Sequence, residues 1–361
     1  MKQKSQLRRQ AAWPRQRGLS LIEVMVSITI GMLVVAAMAL LFANNSRVRS
    51  ETERASTKIE NGRYALELLS NELQHAGLRG NLTPREVPLP AANPPPCSTD
   101  IAELTAAIVV PLLGVDNMAL ANALSCVSGY KSEADVVVVR RAATCANGAA
   151  GCMAYVPGAP VFQASSCSSA TELGGADPSN WFRLSTDTAG MDLHRRDCTT
   201  AAELRKYFVR IYFVAPNDSA GDGIPTLKRA ELGAGGFTTV SLVHGVEDLQ
   251  LEYGLDIDAD GDPDVYSPDP DRYCAAAAPP IAANECWTTV VSAKLHLLAR
   301  NTEPSAGHTD SKQYVLGRAA DAVSGVSAAQ IVRGPYNDRY KRSVFEALVR
   351  LENVSARRAT P

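Results

Sequence analysis

The chain has 361 residues, 46% hydrophobic and 20% charged, enough to bury a core and unlike a disordered composition. Its formal charge of -2 hides an asymmetry. Lys2, Lys4, Arg8, Arg9, Arg15 and Arg17 give the first 18 residues +6, which leaves about -8 for the rest. An acidic body lacks the basic surface that neutralises phosphates, so nucleic acid is not an expected partner.

From Val24 to Ala43 no residue is charged. A helix of that length spans about 30 Å, the thickness of a bilayer core. The basic block before it predicts a cytoplasmic N-terminus and an exported body. The apolar stretch is too long for a cleaved secretory signal, and Asn44, Asn45, Ser46 and Arg47 continue a helical pattern rather than a small-x-small cleavage site. A plain signal anchor is the better competing reading. Against it stands Glu23, an acid at the start of a membrane segment, where a carboxylate is costly unless it has a partner and a task.

The run Arg17-Gly18-Leu19-Ser20-Leu21-Ile22-Glu23 resembles the class III signal of type IV prepilins. The resemblance implies cleavage by a prepilin peptidase after Gly18 and N-methylation of the new first residue, Leu19, where most members have Phe. It also implies that Glu23 meets the α-amino group of a neighbouring subunit, each charge being expensive alone in a low-dielectric filament core.

Beyond the apolar segment the helix is predicted to continue to about Gly77, a C-terminal cap, with Pro84 beyond. Val48, Thr52, Ala55, Ile59, Gly62, Leu66, Leu69, Leu73 and Ala76 fall on one helical face. Unbroken from Leu19 to Ala76, such a helix is about 87 Å long. Gly31 and Gly62 are possible soft points. The stretch Glu60-Asn61-Gly62-Arg63-Tyr64-Ala65-Leu66 through Ala76-Gly77 looks like the PilW family of minor pilins, as does Gly245–Gly254.

Residues 81–100 are proline-rich and read as an irregular crossing. Strands are predicted at Ala134–Arg140, Tyr207–Val214, Thr238–Val243, Val246–Tyr253, Thr288–Ala299 and Ser343–Asn353. A division of the head near 185–205 is one alternative, and the tail Arg357–Pro361 reads as loose. Cys97, Cys126, Cys145, Cys152, Cys167, Cys198, Cys274 and Cys286 contain no C-x-x-C pair, and only five histidines accompany them, so disulfides in an oxidising compartment are expected rather than a metal site. Cys145–Cys152 and Cys274–Cys286 are the easiest loops to close.

Asp256, Asp258, Asp260, Asp262 and Asp264 alternate around Gly261, as the oxygen ligands of a Ca²⁺ loop do. The first six residues match an EF-hand loop, but Ser267 stands where the bidentate Glu belongs and a strand precedes the run. A Ca²⁺-binding hairpin is the better version, with Asp269 or Asp271 as further ligands; a solvated acidic turn is the competing reading. Asn217, Asp218, Asp222 and Gly223 read as a turn. No nucleophile elbow, H-E-x-x-H or phosphate loop is present, and His75, His194, His244, His296 and His308 are isolated, so no enzyme is predicted.

The expected fold is α+β and pilin-like: a long N-terminal helix packed on an antiparallel sheet with disulfide-bearing loops. Its parts would be a leader (1–18), a membrane and polymerisation helix (19–43), an amphipathic continuation (44–77) and a periplasmic head (78–361). The resemblance implies a minor pilin of type IV pilus assembly, partnered by other minor pilins and the major pilin in the inner membrane and then the pilus. A minor pseudopilin of type II secretion, or a membrane-anchored periplasmic binding protein or enzyme, are the alternatives.

Overall fold

A computed structural model describes residues 18–80, 82, 87–116, 124–319 and 329–359. The basic leader through Arg17, Pro84 and the last two residues lie outside that set. One helix, α1, runs Leu21–Gln74 with both Gly31 and Gly62 inside it. It spans two compact units, one up to Glu53 and the other from Arg54 onward.

In the first unit the uncharged part of α1, Val24–Ala43, is exposed on all sides, and no residue of its most apolar window is buried. By length and composition this segment can cross a membrane. Its hydroxyls are satisfied internally, Ser27 Oγ donating to the Glu23 carbonyl (2.6 Å) and Thr29 Oγ1 to the Val26 carbonyl (2.8 Å).

The second unit is the head. Here Gly62, Ala65, Leu69 and Leu73 of α1 are buried, with Ala76 just beyond. The predicted stripe is therefore half right. Val48 and Ile59 stay exposed, and Ala65 is buried deeper than Leu66. At Gly62 the helix lies directly against a side chain of the head, since a Cβ there would land on the Phe345 ring. Gly77 has φ +72°, the left-handed conformation that ends a helix.

After α2 (Ile101–Ala106), capped by Asp100, the strands begin. A seven-stranded sheet contains β1 (Leu112–Val115), β2 (Val136–Ala142), β3 (Val161–Ala164), β4 (Phe182–Ser185), β5 (Leu204–Ala215), β6 (Thr226–Gly233) and β7 (Gly236–His244). A four-stranded sheet contains β8 (Val246–Leu255), β9 (Val265–Ser267), β10 (Val290–Arg300) and β13 (Arg342–Arg350), in the order β13-β10-β8-β9. The strands β11 (Tyr314–Arg318) and β12 (Gln330–Arg333) pair only with each other. All pairings are antiparallel. Residues 185–205 do not divide the head, because β3 hydrogen-bonds to both β4 and β5.

The head is α+β, with two principal sheets rather than one. The sequence passes over β6, whose alternation is masked by Lys228, Arg229 and Glu231. These are half-buried, and Glu231 bonds to Lys206 (2.6 Å) and Arg210 (2.8 Å) of β5. All ten residues of β8 are buried. Leu249, Leu251, Tyr253 and Leu255 face the main core. Asp248 and Glu252 lie under the β11–β12 hairpin, whose Arg333 and Arg318 bond to them at 2.6 Å each.

Four disulfides join successive cysteines: Cys97–Cys126, Cys145–Cys152, Cys167–Cys198 and Cys274–Cys286. Their Cα–Cα separations of 4.9–6.2 Å lie within the range a disulfide spans. The two short loops are the pairs spacing favours; the two long ones bring together segments that only the folded head makes neighbours.

Candidate functional site

Three features bear on function: the start of α1, the acidic loop and the ion-pair network that seats the helix on the head. At the start of α1, Gly18, Leu19 and Ser20 are exposed and precede the first turn. A Cβ built on Gly18 meets nothing within 4 Å. The described fold therefore sets no steric requirement for glycine there. Ser20 and Glu23 form a reciprocal cap: the Glu23 N–H donates to Ser20 Oγ (3.2 Å) and the Ser20 N–H donates to Glu23 Oε2 (3.0 Å). This S-x-x-E spacing is visible in the sequence, yet the prepilin reading passes over it. It gives Glu23 a local task, compensating the unpaired N–H groups of the first turn. Oε1 has no partner among the described residues.

In the acidic loop, Asp256, Asp258 and Asp260 each place a carboxylate oxygen within 4.8 Å of the others. They are not equivalent. Asp256 is fully buried and accepts from the Ala259 N–H (2.7 Å), the Gly261 N–H (3.0 Å) and Arg358 Nε (2.6 Å). Asp258 and Asp260 are exposed, accepting only from the N–H groups of Asp260 (3.3 Å) and Asp262 (2.8 Å). Asp264 turns inward to accept from the N–H groups of Ile257 (2.7 Å) and Asp258 (3.3 Å). Asp262 reaches Arg350 at 3.3 Å. The two extra ligands the sequence suggests are spoken for. Asp269 caps the helix α3 (Pro270–Ala276), and Asp271 accepts from Trp287 Nε1 (2.9 Å). Asn217 and Asp222 cap their own turn, accepting from the N–H groups of Gly223 and Ser219.

The acidic loop is held by the last helix, so Arg357 and Arg358 are not loose as the sequence suggested, while Thr360 and Pro361 of that predicted tail lie outside the described residues. Val354 and Ser355 of α5 (Glu352–Arg358) are buried. Ser355 Oγ donates to the Gly261 carbonyl (2.5 Å), and Arg358 meets Asp256. Gly261, at φ +91°, leaves room for Ala359, whose Cβ would lie 2.7 Å from a Cβ at that position. The predicted strand at Ser343–Asn353 accordingly stops at Arg350 and turns into this helix.

The helix is seated through Glu72. Its carboxylate receives Arg141 (2.8 Å) and Arg210 (2.5 Å), and all three side chains are nearly out of solvent. Arg141, Lys206 and Arg210 all lie against the Phe208 ring. Burial pushes the Glu72 carboxyl up, but the hydrogen bond from Arg141 and the charges of Arg210 and Arg141 outweigh it and hold it below its ordinary value. Sequence periodicity places Glu72 off the stripe and gives no sign of either partner.

Among the histidines, His194 sits 2.7 Å from Glu172, which also accepts from Ser165. Ser165 is fully buried, so a substrate has no access to its hydroxyl.

Two family models match. One, described as type IV pilus-assembly protein W (PilW), covers residues 211–353, from within β5 through the start of α5 and including the acidic loop. The other, the prokaryotic N-terminal methylation motif, covers residues 13–39. The Gly62–Gly77 stretch lies between them. No curated protein and no solved structure matches the chain.

Proposed function

From a chain that matches the PilW pilus-assembly family and the prepilin methylation motif, and so serves as a minor pilin in type IV pilus assembly, we propose a route of processing and insertion. Prepilin peptidase cuts after Gly18, Leu19 becomes the methylated N-terminus, and α1 enters the filament from the inner membrane. The observation that carries this is a glycine with no steric constraint immediately before a capped helix whose apolar window is wholly exposed. The basic leader stays cytoplasmic and the head lies in the periplasm, as the charge asymmetry and four disulfides favour. Glu23 uses Oε2 for its own helix start and offers Oε1 to the α-amino group of an adjacent pilin. The partners are other minor pilins and the major pilin, and the role is structural rather than catalytic. The match to pilus-assembly proteins favours the pilus over type II secretion.

A bulky Gly18→Val substitution is expected to leave the leader attached and to abolish pilus assembly. Intact mass of the membrane-extracted protein reads the first effect and piliation the second. A mature-length Gly18→Val protein beginning at Leu19 would refute the route.

We also propose that the acidic loop takes Ca²⁺ through Asp258, Asp260 and one oxygen of Asp256. Three protein oxygens fall short of the six to eight that Ca²⁺ prefers, and Arg358 competes for Asp256. Affinity is therefore expected at the weak end, about 10⁻⁴–10⁻³ M. Millimolar-range Ca²⁺ should raise the melting midpoint of the full-length protein and chelator should reverse it. The proposal fails if an Asp258→Ala/Asp260→Ala variant responds as the parent does.

A further inference from the structure

Arg79, Arg357, Leu89, Val109, Pro111 and Val354 line a cleft of about 280 Å³ beside the end of α1. Its walls are aliphatic except for the arginines and Thr288. Several buried or half-buried guanidinium groups of the head meet carboxylates: Arg141 and Arg210 meet Glu72, Arg333 meets Asp248, Arg342 meets Glu247, and Arg358 meets Asp256. Arg140, buried away from the cleft lining, instead donates to the Val110 and Pro94 carbonyls. In the cleft, Arg357 donates to the Gly77 carbonyl (3.0 Å), and neither it nor Arg79 has a carboxylate partner among the described residues. Arg79 Nε is buried with no hydrogen-bond partner.

Two cations brought out of water without an acid are destabilising, because desolvation opposes each charge and the charges oppose each other. Burial draws Arg79 down to about 10; burial and then the charge of Arg79 draw Arg357 down to about 9. The carbonyl end of α1 offsets part of this, but its partial charge amounts to about half a unit against two full ones. The helix already has its left-handed Gly77 cap and the Arg357 bond, so Arg79 is not needed to end it.

We propose that this cleft binds a carboxylate on a small aliphatic body, of the kind that ends a peptide chain. The carboxylate lies against Arg79 and Arg357, and the aliphatic part rests on Leu89, Val109, Pro111 and Val354. A planar carboxylate matches the guanidinium edge with both oxygens. A phosphate fits less well, since its further oxygens would lie against valine and proline without donors.

The test uses the full-length protein in detergent at constant ionic strength. The probes are isovalerate and N-acetyl-alanyl-leucine, each compared with its carboxamide. The acids should raise the melting midpoint with dose and the amides should not. A stronger response to the dipeptide acid assigns the site to a chain end; a response to isovalerate alone assigns it to a free small acid. Arg79→Met should melt at or above the parent in acid-free buffer and bind the acids at least about tenfold more weakly. Arg357→Gln should lose the response as well, which keeps the test open if Arg79→Met does not fold. Equal shifts from acid and amide, no shift from either acid, a larger shift from phosphate, or an undiminished response in either variant would each overturn the proposal.

Discussion

Replacing Arg342 with methionine is expected to destabilise the head by about 5 kcal/mol, the upper end for breaking a buried charge network. The Arg342 side chain is 1% exposed. It bonds to Glu247 through Nε, to Asp310 through Nη1 (2.8 Å) and to Asp338 through both terminal nitrogens (2.7 Å each). Its planar group also lies on the Tyr336 ring, 3.6 Å from the centroid. Burial alone would lower its pKa; the hydrogen bonds it donates to Asp338, Glu247 and Asp310 reverse that and raise it. Methionine fills similar volume but removes the cation bonded to Asp310, which is 1% exposed and keeps the Tyr314 hydroxyl and the Lys312 N–H, and leaves Glu247 with Arg300 at 4.0 Å. These acids tie β8 and the segment before β11 to the start of β13, so the loss should be felt across the four-stranded sheet. Calorimetry of the full-length protein reads it as a fall of about 10–20 °C, at 2–4 °C per kcal/mol for a head of this size. A fall of a degree or less would show that the network contributes no net stability. Restoring charge with lysine should recover only part, because lysine cannot present the planar fork.

Glu72→Ala should cost about 3 kcal/mol, the lower end of the same range. Arg210 keeps Glu231 at 2.8 Å, so only Arg141 is left without an acid at close range. Lysine or glutamine at position 72 should discriminate charge from shape: glutamine retains an acceptor and should lose less than alanine, whereas lysine adds a third cation and should lose more. The same group sets a pH dependence. Its folded pKa is depressed, so its stabilisation is present above the unfolded value of about 4.5 and is lost as pH falls below it. Glu252 has the same sign. Burial opposes ionisation there, but hydrogen bonds from His296 and Arg318 hold its pKa down to about 2. Stability should therefore decline between about pH 4.5 and 2, and the decline should be shallower in Glu72→Ala. Identical acid profiles for parent and variant would contradict the assignment of Glu72.

The difference between these residues and the N-terminal ones is one of range. Gly18, Leu19 and Glu23 lie within six positions, and a membrane-length apolar run needs no partner to be recognised. The short disulfides are legible for the same reason, since closing a loop of 7 or 12 residues is entropically easy. The capping role of Glu23 is equally local and could have been read from Ser20-x-x-Glu23. By contrast, Arg342 meets Glu247 across 95 positions and Arg141 meets Glu72 across 69. No periodicity encodes such pairs. The β8 strand misleads in an instructive way: its alternating acids look solvent-facing until the β11–β12 hairpin covers them and supplies arginines.

The sequence by itself determined the membrane-length helix, the prepilin motif at its start, the strand-rich α+β head and an acidic loop after β8, because each rests on short-range patterning or on composition. Tertiary structure alone decided that the head has two principal sheets, that the tail is a helix bracing the acidic loop, and that Asp256 belongs to Arg358 as much as to any cation. It also decided which arginines meet an acid among the described residues and that Arg79 and Arg357, beside the end of α1, do not. The physical reason is common to all of these: a charge reveals its cost and its role only when the fold removes the water around it and fixes the distance to its partner.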